Sequence, residues 1–334
     1  MRPRPLYTLS AHFGSLRGTL VLLGLLAAVV LLRPTWWPLA GVIGLLALNL
    51  LAALVVHPAF RRQLPLLVAH LALLALVLLV AAGRLLALDG RFELTQGETF
   101  DGTLLDRDAG PLHVDRLRAL AFSHDGFEID YAPGRKRGAT RNPVRWRDDD
   151  GRPRRAVIGD HRPLVLQGHR FYTSPNKGFA PLLQWRPDQG EAVRGAVHLP
   201  SFPAHELRQS REWTLPDGRA VWVMLHTEEK LIDPQAASRF TLPREHRLVV
   251  RVGEQRAELV PGGQMELPGG TLVYEGLRTW MGYRVAFDPT LPWLLAAALL
   301  AALALALHYT LKFRAAPAPG GVLERRGQEQ VAHG

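Results

Sequence analysis

Three histidines lie in or beside long apolar stretches of the sequence, where an ionisable side chain is rare. His70 lies six residues into the apolar segment 64–88, His308 lies near the end of the segment 291–311, and His57 ends another apolar segment. An ionisable group in hydrocarbon is costly, so each such residue is first treated as a functional candidate. Six residues of helix would place His70 about 9 Å from the start of its segment.

A histidine within a membrane helix can be interpreted in two ways. A neutral imidazole is the usual axial ligand of haem iron, and haem is a flat, largely apolar molecule that can lie among helices. Alternatively, His70 could form a hydrogen bond between helices, to a neighbour such as Asn49. His57 and His308 are also typical of residues at a membrane interface. The residues alone leave both interpretations open.

Four apolar segments would position these histidines: 13–32, 38–56, 64–88 and 291–311. Each is close to the ~20 residues that a helix needs to cross the hydrocarbon core. In lipid the backbone must satisfy its own hydrogen bonds, so each segment is predicted to be a transmembrane helix. The first segment also resembles a signal peptide, but no small-x-small cleavage pattern follows it.

The charge distribution predicts the orientation of these helices. The net charge is +10, yet residues 89–290 carry 29 Lys/Arg against 28 Asp/Glu, while the rest of the chain carries 11 against 2. Basic residues beside apolar segments favour the cytoplasmic side, which places both termini there and residues 89–290 outside the cytoplasm. The basic pI is therefore not evidence for a nucleic-acid partner. Residues 1–12 become a cytoplasmic N-terminus, and residues 312–334 a cytoplasmic, disordered, Ala/Pro/Gly-rich tail.

Tryptophans are expected where a helix leaves the membrane. Trp36, Trp37 and Trp293 lie at segment ends on the predicted outer side, where an amphipathic indole is favoured.

The segment 89–290 has the pattern of a β-rich domain. Apolar and polar residues alternate over Phe127–Tyr131, Ala220–Leu225 and, less strictly, Arg247–Val252, and Pro216–Gly218 and Pro268–Gly270 are turn signals. The predicted fold class is thus a membrane α+β protein. Four transmembrane helices carry a sandwich-like β domain, inserted outside the cytoplasm between the third and fourth helices.

The predicted β domain shows no recognisable catalytic constellation. The chain has no cysteine, which excludes disulfides, thiolate metal sites and a CxxCH haem attachment of its own. Asp148–Asp150 form a carboxylate cluster, but flanking arginines indicate a solvated, charge-mixed loop. The histidines of this segment lack metal-ligand spacing, and nucleotide, hydrolase and zinc-protease motifs are missing. We therefore predict no catalytic residue, and a free-standing exported enzyme or a transporter subunit ranks low.

Several local motifs, in this order and topology, resemble the ResB/CcsB family of system II cytochrome c biogenesis. They are Ser15–Arg17 before the first apolar run, Leu66–Val77 around His70, Gln96–Thr99, Phe127–Tyr131, Gly168–Tyr172, Gly276-Leu277, Gly282-Tyr283 and Asp288-Pro289. The family's frequent Asp-Pro-Gly reads Asp288-Pro289-Thr290 in this chain, and the predicted exported domain is shorter than is common in the family.

The resemblance implies a function for the membrane histidines. Members of this family join a CcsA/ResC-type subunit in the bacterial cytoplasmic membrane, and the pair moves haem outward and attaches it to apocytochrome c. On this basis His70 is expected to be an axial ligand of transiently held haem b, with His308 as a second candidate and Arg61 or Arg62 beside the propionates. The chain itself would be a non-catalytic or co-catalytic subunit of the holocytochrome c synthase. The alternative is a membrane scaffold or sensor that uses its exported domain for protein contacts and binds no haem.

Overall fold

The structure, a computed structural model, describes residues 15–32 and 36–314. Its helices are α1 (Leu16–Leu32), α2 (Trp36–Val56), α3 (Pro58–Arg62), α4 (Leu64–Leu86) and α5 (Leu291–Arg314). By length and composition α2, α4 and α5 can cross a membrane, whereas α1 is a shorter apolar helix of 17 residues. The prediction of a membrane protein with several apolar helices is confirmed. That four helices cross the membrane stays a prediction.

Small residues lie where the long helices meet. In the helical unit α1 packs on α2, α2 on α4, and α4 on α5. Ala69 and Ala72 of α4 and Ala297 and Ala304 of α5 are buried, whereas leucines such as Leu303 remain exposed. Small side chains let helix backbones approach closely, which is the usual packing mode in lipid. The leucine-rich faces are left for the hydrocarbon.

A glycine brings the end of α4 against the start of α5. A Cβ at Gly83 would lie 2.9 Å from Oγ1 of Thr290, which is closer than real Cβ contacts. The turn there is ordered by Asp288, whose Oδ1 accepts hydrogen bonds from the backbone N–H and the hydroxyl of Thr290 at 2.8 and 2.7 Å. The carboxylate also lies near the positive end of the α5 dipole, where negative charge is favoured.

The β unit comprises Ala87–Ala109 and His113–Phe287. Its strands are β1 (Leu88–Thr95), β2 (Asp106–Ala109), β3 (Phe122–His124), β4 (Glu128–Ala132), β5 (Lys136–Arg147), β6 (Pro153–Ile158), β7 (Leu164–Leu166), β8 (His169–Pro187), β9 (Val193–Ala196), β10 (Ser210–Thr214), β11 (Ala220–His226), β12 (Ser238–Arg239), β13 (Arg247–Val252), β14 (Gln255–Leu259), β15 (Gln264–Leu267) and β16 (Gly270–Phe287).

These strands form three antiparallel sheets in the described part of the chain. The largest has the order β2-β1-β16-β8-β7, with β15 beside β16 and β9 beside β8; the others are β10-β11-β13-β14 and β12-β4-β5-β3, with β6 beside β5. The long strands β8 and β16 pair from Gly270↔Pro187 to Ala286↔Arg170. One hydrophobic core surrounds Phe179, Val223 and Leu272, and a second surrounds Phe92, Phe171 and Tyr283.

The structure confirms several local predictions and corrects the ends of others. The alternating segments became β4, β11 and β13, and both predicted turns separate strands. The helix predicted over residues 64–88, which is α4, ends at Leu86 and not at residue 88, because Leu88 pairs with Phe287 in the sheet.

The last helix continues to Arg314, beyond the predicted end at residue 311, and its last turn carries Lys312 and Arg314. Long basic side chains can extend toward a membrane surface while their stems remain along the helix. Residues 312–314 are therefore helical and not part of a disordered tail. The predicted N-terminus, residues 13 and 14, Arg33 and the tail after Arg314 lie outside the described residues.

Candidate functional site around His70

His70 presents one defined ring nitrogen for coordination. It is half-buried on α4, and its Nδ1 lies 2.9 Å from the carbonyl oxygen of Leu66, one helical turn earlier. A carbonyl can only accept, so Nδ1 donates this hydrogen bond, and Nε2 is the ring nitrogen that remains for coordination. A hydrogen bond from the other ring nitrogen to a backbone carbonyl is the arrangement that commonly orients a metal-binding histidine.

An aromatic ring packs against His70. Phe60 of α3 is 8% exposed, and its ring centroid lies 4.6 Å from that of His70. The ring of His57, which precedes α3, lies 6.4 Å from Phe60 on an edge-to-face geometry. Phe60 thus contacts both imidazoles, and α3, which follows α2 after one residue, supplies an apolar wall beside His70. Sequence analysis did not identify Phe60, although its place three residues after His57 was visible.

His308 lies at a different depth from His70. It is half-buried on α5, with the Tyr309 ring 5.3 Å away. Taking Gly83 and Thr290 as level, His70 lies about 20 Å down α4 and His308 about 27 Å down α5. The two imidazoles therefore lie in the same half of the helix pair, offset by roughly 7 Å along it. This offset favours different roles over a shared axial pair.

The alternative hydrogen bond between His70 and Asn49 is not among the contacts of the described residues. Asn49 is 2% exposed, and its Oδ1 accepts a hydrogen bond from the Thr19 hydroxyl at 2.7 Å. Thr19 therefore provides a polar contact between α1 and α2. Sequence analysis passed over Thr19 because a threonine can also bond to its own helix, as its hydroxyl does to the Ser15 carbonyl at 3.3 Å.

The structure describes the side chains of only some of the other residues that were predicted to lie at the membrane. Arg62 is exposed, and the side chains of Arg61, Trp36 and Trp37 lie outside the described residues. Trp293 is 66% exposed in the first turn of α5.

Among the residues that the structure describes, no three His, Asp or Glu side chains are grouped so that they could hold a metal ion. Asp148 turns the β5–β6 hairpin: its Oδ1 accepts the backbone N–H of Arg152, and its Oδ2 lies 2.8 Å from Arg154. The hydrogen bond from Arg154 lowers the pKa of Asp148 below its usual value. The carboxylate cluster is thus the charge-mixed loop that the sequence favoured.

A buried polar network lies in the β unit and was not predicted. Nδ2 of Asn142 lies 2.8 Å from Nδ1 of His124, and the Tyr283 hydroxyl donates to Oδ1 of Asn142 at 2.7 Å. His124 and Asn142 are fully buried. Burial lowers the pKa of His124 to about 4, so the imidazole is neutral near pH 7. The network of His124, Asn142 and Tyr283 joins strands β3, β5 and β16.

A second unpredicted set joins a hydroxyl, an imidazole and a carboxylate. His198 lies 2.8 Å from Glu93 through Nδ1 and 2.9 Å from the Thr95 hydroxyl through Nε2, and its ring stacks on Trp280 at 5.0 Å. The sequence of hydroxyl, imidazole and carboxylate resembles that of the catalytic triads of hydrolases. However, Thr95 is 1% exposed, so its hydroxyl is shielded from any substrate. The set holds β1 in place and does not form a nucleophilic site.

The fold and these side chains define a membrane protein that has apolar helices and a large antiparallel β unit. The family model for the ResB-like family matches residues 60–315, which is most of the chain. The chain therefore belongs to the ResB-like family, and a general role related to cytochrome c biogenesis follows. The match includes His70 and His308 and begins after α1 and α2. No curated protein matches the chain.

Proposed function

We propose that this chain is the membrane subunit of a system II cytochrome c maturation complex that handles haem and helps its transfer to apocytochrome c. In this proposal the haem is cargo and not a resident cofactor. The observation that carries it is the contact of His70 Nδ1 with the Leu66 carbonyl, which leaves Nε2 for coordination within an apolar helix.

The surroundings of His70 suit the faces of a porphyrin. Phe60 packs on the imidazole, and α4 is leucine- and valine-rich on both sides of it. Burial of a large apolar surface and one iron–nitrogen bond together can hold haem without a covalent attachment. Because haem must also leave, a single ligand from this chain fits a transient hold better than two.

His308 has a secondary role in this proposal. Its offset of roughly 7 Å from His70 places it nearer the end of the helix pair, where haem would enter. Arg62, exposed before α4, is a candidate partner for a haem propionate, since a cation near the interface favours a carboxylate. Thioether attachment would be performed with a CcsA/ResC-type subunit in the cytoplasmic membrane, with the β unit on the outer side.

The direct test is the yield of a reporter holocytochrome c in cells that depend on this chain and its partner subunit. His70→Ala should lower the yield at least about tenfold, because the iron loses its ligand, and added imidazole should restore part of it. His308→Ala and the matched surface variant His226→Ala should retain most of the yield. Each variant is first checked for normal membrane levels.

An unchanged yield in His70→Ala would contradict the proposal. If the complex also assembled without haem, the result would favour the alternative of a scaffold or sensor that works through protein contacts of its β unit.

A further inference from the structure

One turn of the chain returns from the β strands to the end of a membrane helix. After β1 and β2, the backbone N–H of Leu112 donates to the carbonyl of Leu85 at 2.9 Å. Gly110 lies so close that a Cβ there would clash with the backbone carbonyl of Leu85. Gly110–Leu112 thereby pairs one of the carbonyls that a helix end leaves without an intrahelical partner. The turn belongs to the helical unit and not to the β unit.

By its length, α4 would place its Leu85 end at the level of a membrane interface. Helix α4 has 23 residues, which is about 34 Å, slightly more than the ~30 Å of hydrocarbon. Gly83 near this end faces the start of α5, and Trp293 lies exposed in the first turn of α5. An exposed indole at a helix end is typical of the headgroup region. The Gly110–Leu112 turn is attached at this same end.

The exposed side chains of this turn, Pro111 and Leu112, are apolar. Leu112 is 60% exposed, and Arg84, in the last turn of α4, is also exposed. A leucine beside an arginine suits the boundary between acyl chains and phosphates, where both groups are accommodated.

We propose that Gly110–Leu112 is a lipid-contacting turn, in which Leu112 inserts into the interfacial layer of the same bilayer that α4 crosses. The occupant is lipid because the turn is hydrogen-bonded to the end of an apolar helix that is long enough to cross a membrane. The contact fixes the point where the chain leaves the membrane, and it is independent of haem.

The absence of cysteine makes this proposal directly testable in the full chain. Leu112→Cys and, as a matched control, Leu207→Cys are each labelled with an environment-sensitive fluorophore and placed in phosphatidylcholine/phosphatidylglycerol nanodiscs. Leu207 is 97% exposed on a turn of the β unit. Quenching is measured with lipids that carry a nitroxide near the headgroup and, separately, with aqueous iodide.

The probe at residue 112 should be quenched by the lipid nitroxide at least about twofold more than the probe at residue 207, and less by iodide. Equal quenching at both positions would overturn the proposal. Protection of residue 112 from iodide without quenching by lipid would also overturn it, because protein and not lipid would then cover Leu112.

Discussion

The helical unit and the β unit use polar side chains in opposite ways. In the described helices, side chains form single hydrogen bonds such as Thr19 to Asn49 of the next helix or His70 to the Leu66 carbonyl. The β unit carries all the ion pairs found among the described residues, such as Arg91–Asp106 and Arg154–Asp148, and buries a network around His124.

Because of this difference, the type of a single residue is informative about function in one unit and not in the other. In water an exposed histidine or carboxylate costs little, so its presence in the β unit says little about function. In hydrocarbon the same side chain is costly and needs a reason. His70 was therefore visible in the sequence, whereas the triad-like Glu93–His198–Thr95 set needed the structure before it could be recognised and set aside.

The largest stability effect should come from the aromatic core of the β unit. Phe92 is 3% exposed and stacks on Tyr283 at 5.1 Å. Phe92→Ala should lower the free energy of unfolding by about 3–5 kcal/mol, because it leaves a cavity. Leu303→Ala on the exposed face of α5 should change it far less, since detergent fills the space. Urea unfolding of the detergent-solubilised chain, followed by tryptophan fluorescence, measures both. Equal losses would break the comparison between the units.

The next effect should be a pH dependence that belongs to the β unit. The folded pKa of His124 is about 4, below its ordinary value of 6.5. The unfolded chain therefore binds the proton first as pH falls. Stability is fully present above about pH 6.5 and decreases toward pH 4, by on the order of 3 kcal/mol.

His124→Gln should flatten this slope between pH 6.5 and 4, although its stability at pH 7 is lower than that of the wild type. Unfolding midpoints measured across this pH range would show it. A slope that is identical in the variant would assign the dependence to other groups.

A smaller effect is expected from the polar contact between α1 and α2. Thr19→Val keeps the shape of the side chain and removes the hydrogen bond to Asn49. Such bonds in membranes contribute about 0.6 kcal/mol on average, with a maximum near 1.7. Thermal unfolding in detergent should show a loss in this range. A loss well above it would mean that the helical unit depends on polar contacts as strongly as the β unit does.

The smallest effect should come from the surface ion pairs. Arg91 and Asp106 lie 2.8 Å apart, and both side chains are more than half exposed. A double-mutant cycle with Arg91→Gln and Asp106→Asn should give a coupling energy below about 1 kcal/mol, reduced further by salt. A coupling of several kcal/mol would show that these pairs contribute to the stability of the sheet.

Local sequence patterns predicted individual helices and strands of this fold. They could not predict the contacts between distant segments of the chain. The alternation over residues 247–252 indicated β13, and the apolar runs indicated the helices. The pairing of β8 with β16 joins segments about a hundred residues apart, and no local periodicity encodes it.

The candidate site shows the same division. The cost of burying an imidazole pointed to His70, whereas the ring nitrogen left for coordination depended on the Leu66 carbonyl and the apolar neighbour on Phe60. The depth of His308 followed only once Gly83 had placed α4 against α5.

The central claim is that the imidazole of His70 holds haem, and the absorption spectrum of the purified protein tests it most directly. The chain is co-purified with a CcsA/ResC-type partner in detergent, as wild type, His70→Ala and His308→Ala. The Soret band should be largely lost in His70→Ala and largely retained in His308→Ala. An equally strong Soret band in assembled His70→Ala complex, or a colourless wild-type complex, would contradict it.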